Sequence, residues 1–375
     1  HAAGAAFLSS SGLGAASLAA QTTVAQPDAN AEGISKDVPW LAEVQRVPSS
    51  IPGGVPKLAL LLIDSQGRPI DSLAAWKRRR EELLTEWEKI VRPLPVERPK
   101  APAWTVLEED RRDGAIRQRI RYEVAPETVV EAYLLKPLEK LARPTAGVAV
   151  FHSTINHSIR QPAGLADDRE KAFGFGLAKR GFVTLSPRNF LWPTNEKIEA
   201  AAQAKQHLER YPNSTGMARM LLDAQVAIDL LASLPGVDAD RIGCVGHSLG
   251  AKEALYLPAF DERVKVSVSS EGGVGLPYSN WHAEWYLGKQ VHAPDFAREQ
   301  HELLGLIAPR PFLLLGGDSA DGDKSWPFIA AALPVYQLFG EPARLGLFNH
   351  KQGHTVPPEA EARIYEWLTT YLSEK

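Results

Sequence analysis

Two rhythms of apolar and polar residues run along the chain, and together they predict a sheet covered by helices. Nine short runs rich in Val, Ile, Leu and Phe predict strands: Trp104–Glu109, Gln118–Val124, Val130–Leu135, Gly147–His152, Phe182–Pro187, Arg241–Gly246, Val264–Ser269, Phe312–Leu315 and Arg344–Phe348. Each is short and bordered by turn-forming residues, which suits strands better than helices. Elsewhere apolar positions recur at helical spacing. Between Ser72 and Val91 they are Trp76, Leu83, Trp87 and Ile90, interrupted by a solvated run from Arg78 to Glu82, and Pro93, Pro95 and Pro99 end that helix. A second helix spans Met217–Leu234, with Met217, Met220, Leu221, Ala224, Ile228 and Leu231 on one face. A last one runs from Pro358 to Leu372, with Ile364, Trp367 and Tyr371 inward. Strands and helices alternate after the third strand, the pattern of a mainly parallel sheet with helices on both faces. The first three strands have no helix between them, so they are expected to be antiparallel at one edge. The predicted class is therefore α/β.

The N-terminus breaks this pattern and divides the chain into three expected segments. Residues 1–30 are dominated by Ala, Gly, Ser and Leu, with no charge from Ala2 to Ala20. This resembles an export signal that lacks its basic start, with cleavage expected around Ala19 to Ala25 and a secreted or periplasmic location, and the alternative is a disordered segment. Residues 31–100 are expected to form a Pro- and Gly-rich surface wrap followed by the first helix, and residues 101–375 the main domain. No later run approaches the roughly 18 apolar residues of a membrane span. A formal net charge of -3 offers no footprint for nucleic acid. The single cysteine, Cys244, excludes an intramolecular disulfide, and its apolar surroundings mark it as a small buried hydrophobe.

The candidate chemistry starts at Gly246-His247-Ser248-Leu249-Gly250, between an apolar strand and the helix formers Ala251 to Leu255. A serine on such a turn is lifted above the sheet as a nucleophile, and the glycines let strand and helix approach. The amide of Leu249 is then placed to face a developing oxyanion. A serine hydroxyl needs a base. His354, after the last strand and behind Gly353, is the candidate, whereas His350 lies at the strand end without that turn. An acid is expected in Gly316-Gly317-Asp318-Ser319-Ala320-Asp321-Gly322-Asp323. Asp321 has the loop length to reach back toward the histidine, Asp318 is the alternative, and Asp323 is read as solvated. A second oxyanion amide is expected from Thr154, or Ser153, after the strand ending at His152. His152 and His157 have no partner at metal-ligand spacing, so neither metal nor cofactor is expected. Two aromatic stretches should help build the cleft. One holds Arg188 to Trp192, where Arg188 meets either a carboxylate of the substrate or a structural partner; the other holds Trp281 and Trp285.

With these elements in this order, residues 100–373 resemble the α/β-hydrolase superfamily. Trp76 to Trp87, Phe151-His152-Ser153-Thr154 and Ala308-Pro309-Arg310-Pro311 are similar to acetyl-xylan-esterase-like and dienelactone-hydrolase-like proteins. A partial likeness to glucuronoyl esterases rests on Lys252, four residues after the serine, on Glu271 in Ser270-Glu271-Gly272-Gly273, and on Trp326. That likeness implies Glu271 as a rival acid, and Lys252 and Trp326 as substrate contacts. Leu249 stands where that family has arginine. The resemblance implies a serine carboxylic-ester hydrolase that works through an acyl-enzyme on acylated carbohydrate or another small ester. Alternatives are a glucuronoyl-esterase-like, polyester or lactone hydrolase, a peptidase of the prolyl-oligopeptidase type, or a binding protein on an inactive hydrolase fold. The segment before the first strand is too short for the propeller of the peptidases, and inactive relatives typically lose the serine or the histidine.

Overall fold

All nine apolar runs become strands of one sheet in the computed structural model, which describes residues 37–99, 101–139, 142–194 and 197–373. The expected export signal lies outside the described residues. The strands are β1 (Trp104–Arg112), β2 (Ala115–Ala125), β3 (Thr128–Pro137), β4 (Thr145–Phe151), β5 (Val183–Pro187), β6 (Val237–His247), β7 (Val264–Ser270), β8 (Phe312–Gly316) and β9 (Leu345–Asn349). They lie in the order β1-β2-β3-β5-β4-β6-β7-β8-β9. The first three strands and β5 pair antiparallel, and every pair from β5 to β9 is parallel. The antiparallel edge thus falls where helices are missing from the sequence, because only a hairpin can join strands so close together.

The helices are α1 (Leu41–Val44), α2 (Leu73–Val91), α3 (Phe173–Ala178), α4 (Ala200–Arg210), α5 (Gly216–Ser233), α6 (Leu249–Phe260), α7 (His301–Ile307), α8 (Trp326–Leu338) and α9 (Pro358–Leu372). Both faces of the sheet are covered. One core joins β-sheet residues to α2, α5, α6, α7 and α8, and the other joins them to α1, α3 and α9. Helix α2 starts where the Ser72 hydroxyl accepts the Ala75 amide. It stops at Arg92, which has φ 56°, just before Pro93. Its inward residues are Trp76, Leu83, Trp87 and Val91 rather than Ile90, and the Trp87 indole donates to Glu302 at 2.8 Å. In α5 the Thr215 hydroxyl caps the Ala218 amide, and all six residues expected on its apolar face are buried. Among the described residues no helix is long and apolar enough to cross a membrane.

Strand order reverses at β4, with β5 on one side and β6 on the other. In open parallel sheets the crevice outside the carboxyl ends at such a reversal is where ligands bind. The serine turn after β6 and the Thr154 loop after β4 both open there.

Candidate active site

Ser248 sits at the junction of β6 and α6 with φ 59° and ψ -113°. This left-handed conformation costs on the order of 1–3 kcal/mol and persists only where surrounding structure enforces it. Both flanking glycines are part of that enforcement. A Cβ on Gly246 would collide with the backbone of Gly250, and one on Gly250 would collide with the Phe151 carbonyl on β4. The Ser248 amide donates to the Ser270 carbonyl at 2.8 Å, which ties the turn to β7.

His354 follows β9 and approaches the serine from the next loops. Its Nε2 lies 2.9 Å from Ser248 Oγ, and its Nδ1 lies 3.2 Å from Glu271 Oε2. Serine, histidine and glutamate therefore form one hydrogen-bonded chain. Glu271 is buried, with φ 57° at the end of β7. Its carboxylate also accepts the amides of Gly317 and of Ala320, the latter at 2.7 Å. Gly317 is a junction that the sequence did not single out. Its amide serves Glu271, its carbonyl accepts the Gly353 amide at 2.7 Å, and a Cβ there would strike the Gly353 backbone. Ser270 was also missed. The Gly316-Gly317 pair directly after a strand was the available signal for this close approach.

The expected place of Asp321 needs correction. It is fully buried and accepts the Gly273 amide at 2.7 Å, the Val274 amide at 2.8 Å and the Ser325 hydroxyl at 2.8 Å. These donors use both oxygens and hold the carboxylate beneath the Glu271 turn, away from the imidazole. Burial raises its pKa, and the charge of Glu271 adds to that. Asp318 accepts from Asn349 at 2.6 Å, and Asp323 pairs with Lys351 at 2.9 Å, so neither reaches His354. His350 turns its Nδ1 to the Gln352 amide.

Leu249 opens α6, so its amide has no acceptor within the helix and remains the candidate first oxyanion donor. In the β4 loop the Ser153 amide is already bound to the Gln161 side chain at 2.9 Å, which leaves Thr154 as the candidate second donor. His152 braces that loop. Its Nδ1 donates to the Ser153 carbonyl at 2.8 Å and its Nε2 accepts the Asn189 amide at 3.1 Å. Both ring nitrogens are used within the protein. Among the described residues no group of three His, Cys, Asp or Glu could hold a metal ion.

Burial lowers the His152 pKa from 6.5 to about 4. As the pH falls, the unfolded chain therefore takes up a proton before the folded chain does. The stability held by neutral His152 is complete above about pH 6.5 and is lost as the pH falls toward 4, a change of about 3 kcal/mol. Urea midpoints measured at pH 7 and pH 4.5 are expected to differ less for His152→Gln, which keeps an acceptor for Asn189, than for the parent. Equal falls in the two proteins would show that His152 does not carry this dependence.

Three expected substrate contacts are withdrawn by burial. Lys252 is enclosed, donating to the Gly272 carbonyl and to Ser279 Oγ at 2.7 Å, and burial lowers its pKa to about 7. Trp281 is fully buried, with its indole on the Gly273 carbonyl at 2.8 Å. Trp326 is a core residue at the start of α8. All three support the Glu271 turn or its surroundings rather than face a ligand. Trp285 is half-buried, with its backbone against Gly216. Arg188 meets Glu131 at 2.8 Å and also lines a cleft. Cys244 is buried, as expected.

The Dienelactone hydrolase family matches residues 130–287, a span that holds the Thr154 loop, the serine turn and Glu271. The fold is that of the α/β-hydrolases. Among the relatives of this chain, YtaP of Bacillus subtilis (strain 168), which carries a hydrolase name, is 26% identical over 247 residues, covering 64% of this chain and 79% of its own. Carbohydrate esterase MZ0003, from an unknown prokaryotic organism, is 26% identical over 220 residues, covering 51% of this chain and 50% of its own. The α/β-hydrolase architecture is also that of a glucuronoyl esterase from Solibacter usitatus, with a TM-score of 0.69 over 86% of this chain and 100% of that one, at 17% identity.

Proposed function

We propose that this protein is a serine carboxylic-ester hydrolase that acts through an acyl-enzyme, with acylated carbohydrates or other small esters as substrates. The observation that carries this reading is the chain from Ser248 through His354 to Glu271, with links of 2.9 and 3.2 Å. In the first step His354 Nε2 takes the hydroxyl proton as Ser248 Oγ bonds to the ester carbonyl carbon. Glu271 stabilises the imidazolium through Nδ1. The carbonyl oxygen gains negative charge opposite the amides of Leu249 and Thr154. The C–O bond to the alcohol then breaks, and His354 returns its proton to the departing oxygen. Water enters and loses a proton to His354 as its oxygen bonds to the acyl carbon, the C–Oγ bond breaks, and His354 returns the proton to Ser248 Oγ as the acid leaves. No step requires a cofactor.

A carbohydrate substrate is supported by the names of MZ0003 and the Solibacter usitatus enzyme. An acid at the end of β7 favours the glucuronoyl-esterase-like arrangement within this class. Enclosure of Lys252 and the presence of Leu249 remove two of the contacts that arrangement would use for a uronate ester. An exported enzyme fits the composition of residues 1–30. The test is pre-steady-state hydrolysis of p-nitrophenyl acetate by purified protein, followed by acetylated xylan and methyl glucuronate esters. The expected result is a burst of one p-nitrophenol per active site and turnover of at least one carbohydrate ester. Absence of both burst and turnover on every ester would overturn the reading.

A further inference from the structure

A second feature opens on the same edge of the sheet as Ser248. The Arg188–Trp192 segment after β5, the start of β3, one residue of β2 and helices α4 and α5 enclose a cleft of about 450 Å³. Four arginines line it. Arg188 meets Glu131 at 2.8 Å and Arg219 meets Asp223 at 2.8 Å. Arg121 and Arg210 have no carboxylate partner among the described residues, so the cleft holds two cationic side chains in excess. Aromatic rings stand beside them. The Arg219 guanidinium lies 5.7 Å from the centre of Phe190, and that of Arg210 lies 5.4 Å from the centre of Tyr211.

The cleft is coupled to the candidate active site by hydrogen bonds. The Asn189 amide in its wall donates to His152, and the Trp192 indole donates to the Ile155 carbonyl at 3.0 Å. Both acceptors belong to the loop that carries Thr154. The near wall of the cleft, at β5, is two places from β6, so at about 4.8 Å per strand it lies roughly 10 Å from the serine, and the walls at β3 and β2 lie farther out. That is within reach of a sugar unit joined to the one that bears the ester, not of the ester itself. Flat rings beside fixed cations suit a pyranose that carries a carboxylate.

We propose that this cleft is a subsite for a uronate residue linked to the ester-bearing unit of the substrate. The assignment rests on the esterase reading and narrows its substrates to acidic oligosaccharides. The test is calorimetric titration of the full chain with trigalacturonate, with neutral xylotriose and with inorganic phosphate. Trigalacturonate is expected to bind more tightly than xylotriose and to weaken as salt is added. Arg121→Gln and Arg210→Gln are each expected to weaken it by on the order of tenfold. Both arginines are exposed, so the variants are expected to fold, and their melting temperatures check this. Equal affinity for the charged and neutral sugars, or full affinity in the double variant, overturns the proposal. Phosphate binding as tight as trigalacturonate binding also overturns it, because the sugar would then contribute nothing. These titrations need no turnover, so their failure is distinct from a failure of the p-nitrophenyl acetate test.

Discussion

Ser248→Ala is expected to lower kcat for p-nitrophenyl acetate by roughly 10⁴–10⁶-fold while the protein remains folded. The size of the loss follows from the geometry. Alanine keeps the Cβ that serine already carries at φ 59°, so it adds no backbone strain at the turn. What disappears is the oxygen 2.9 Å from His354 Nε2, and with it the attacking atom and the proton that the base removes. The amides of Leu249 and Thr154 would remain, and as the proposed oxyanion donors they would account for residual rate above that of water. Thermal unfolding of parent and variant should agree within a few degrees. A variant that retained its turnover would move the nucleophile elsewhere and end the acyl-enzyme reading.

The second large effect separates two buried acids. Glu271→Gln is expected to lower kcat by roughly 10³–10⁴-fold, because an amide can neither stabilise the imidazolium nor fix the tautomer whose Nε2 faces the serine. Asp321→Asn is expected to act on stability instead. One amide group cannot accept from the Gly273 and Val274 amides and the Ser325 hydroxyl together, so at least one buried donor is left unsatisfied, at about 1–3 kcal/mol. Rates per active site, counted by a stoichiometric phosphonate label, distinguish the two. If Asp321→Asn lost as much rate per labelled site as Glu271→Gln, the division of roles argued from the hydrogen bonds would be wrong.

The strands were legible because each is a short apolar run between turn formers, and the antiparallel edge was legible from the absence of helices. The meeting of Ser248 and His354 was legible as well, because the Gly-x-Ser-x-Gly turn and the Gly353 turn advertise close backbone approach. Helices α7 and α8 were not foreseen. Helix α7 is short, and α8 is apolar around much of its circumference, so neither shows a helical stripe. The carboxylate that meets His354 was legible only as an alternative. Loop length favours Asp321, and nothing in residue type says that Gly273 and Val274 would turn their amides onto it. The tryptophans misled for a related reason. An aromatic in a loop at the carboxyl edge of a sheet can face the cleft or brace it, and the indole of Trp281 found a backbone carbonyl inside.

The positions of the three residues along the chain have a consequence for biosynthesis. Ser248 and Glu271 flank one helix in consecutive strand–helix units, whereas His354 lies between the last strand and the last described helix. The strained serine turn and the buried carboxylate can therefore form while the histidine is still inside the ribosome. Until β9 joins the sheet and α9 docks, the nascent protein carries Ser248 without His354 beside it. Under the esterase reading, the capacity to cut esters waits for the segment that follows β9, so a chain not yet made that far is held inert by the order of its own synthesis.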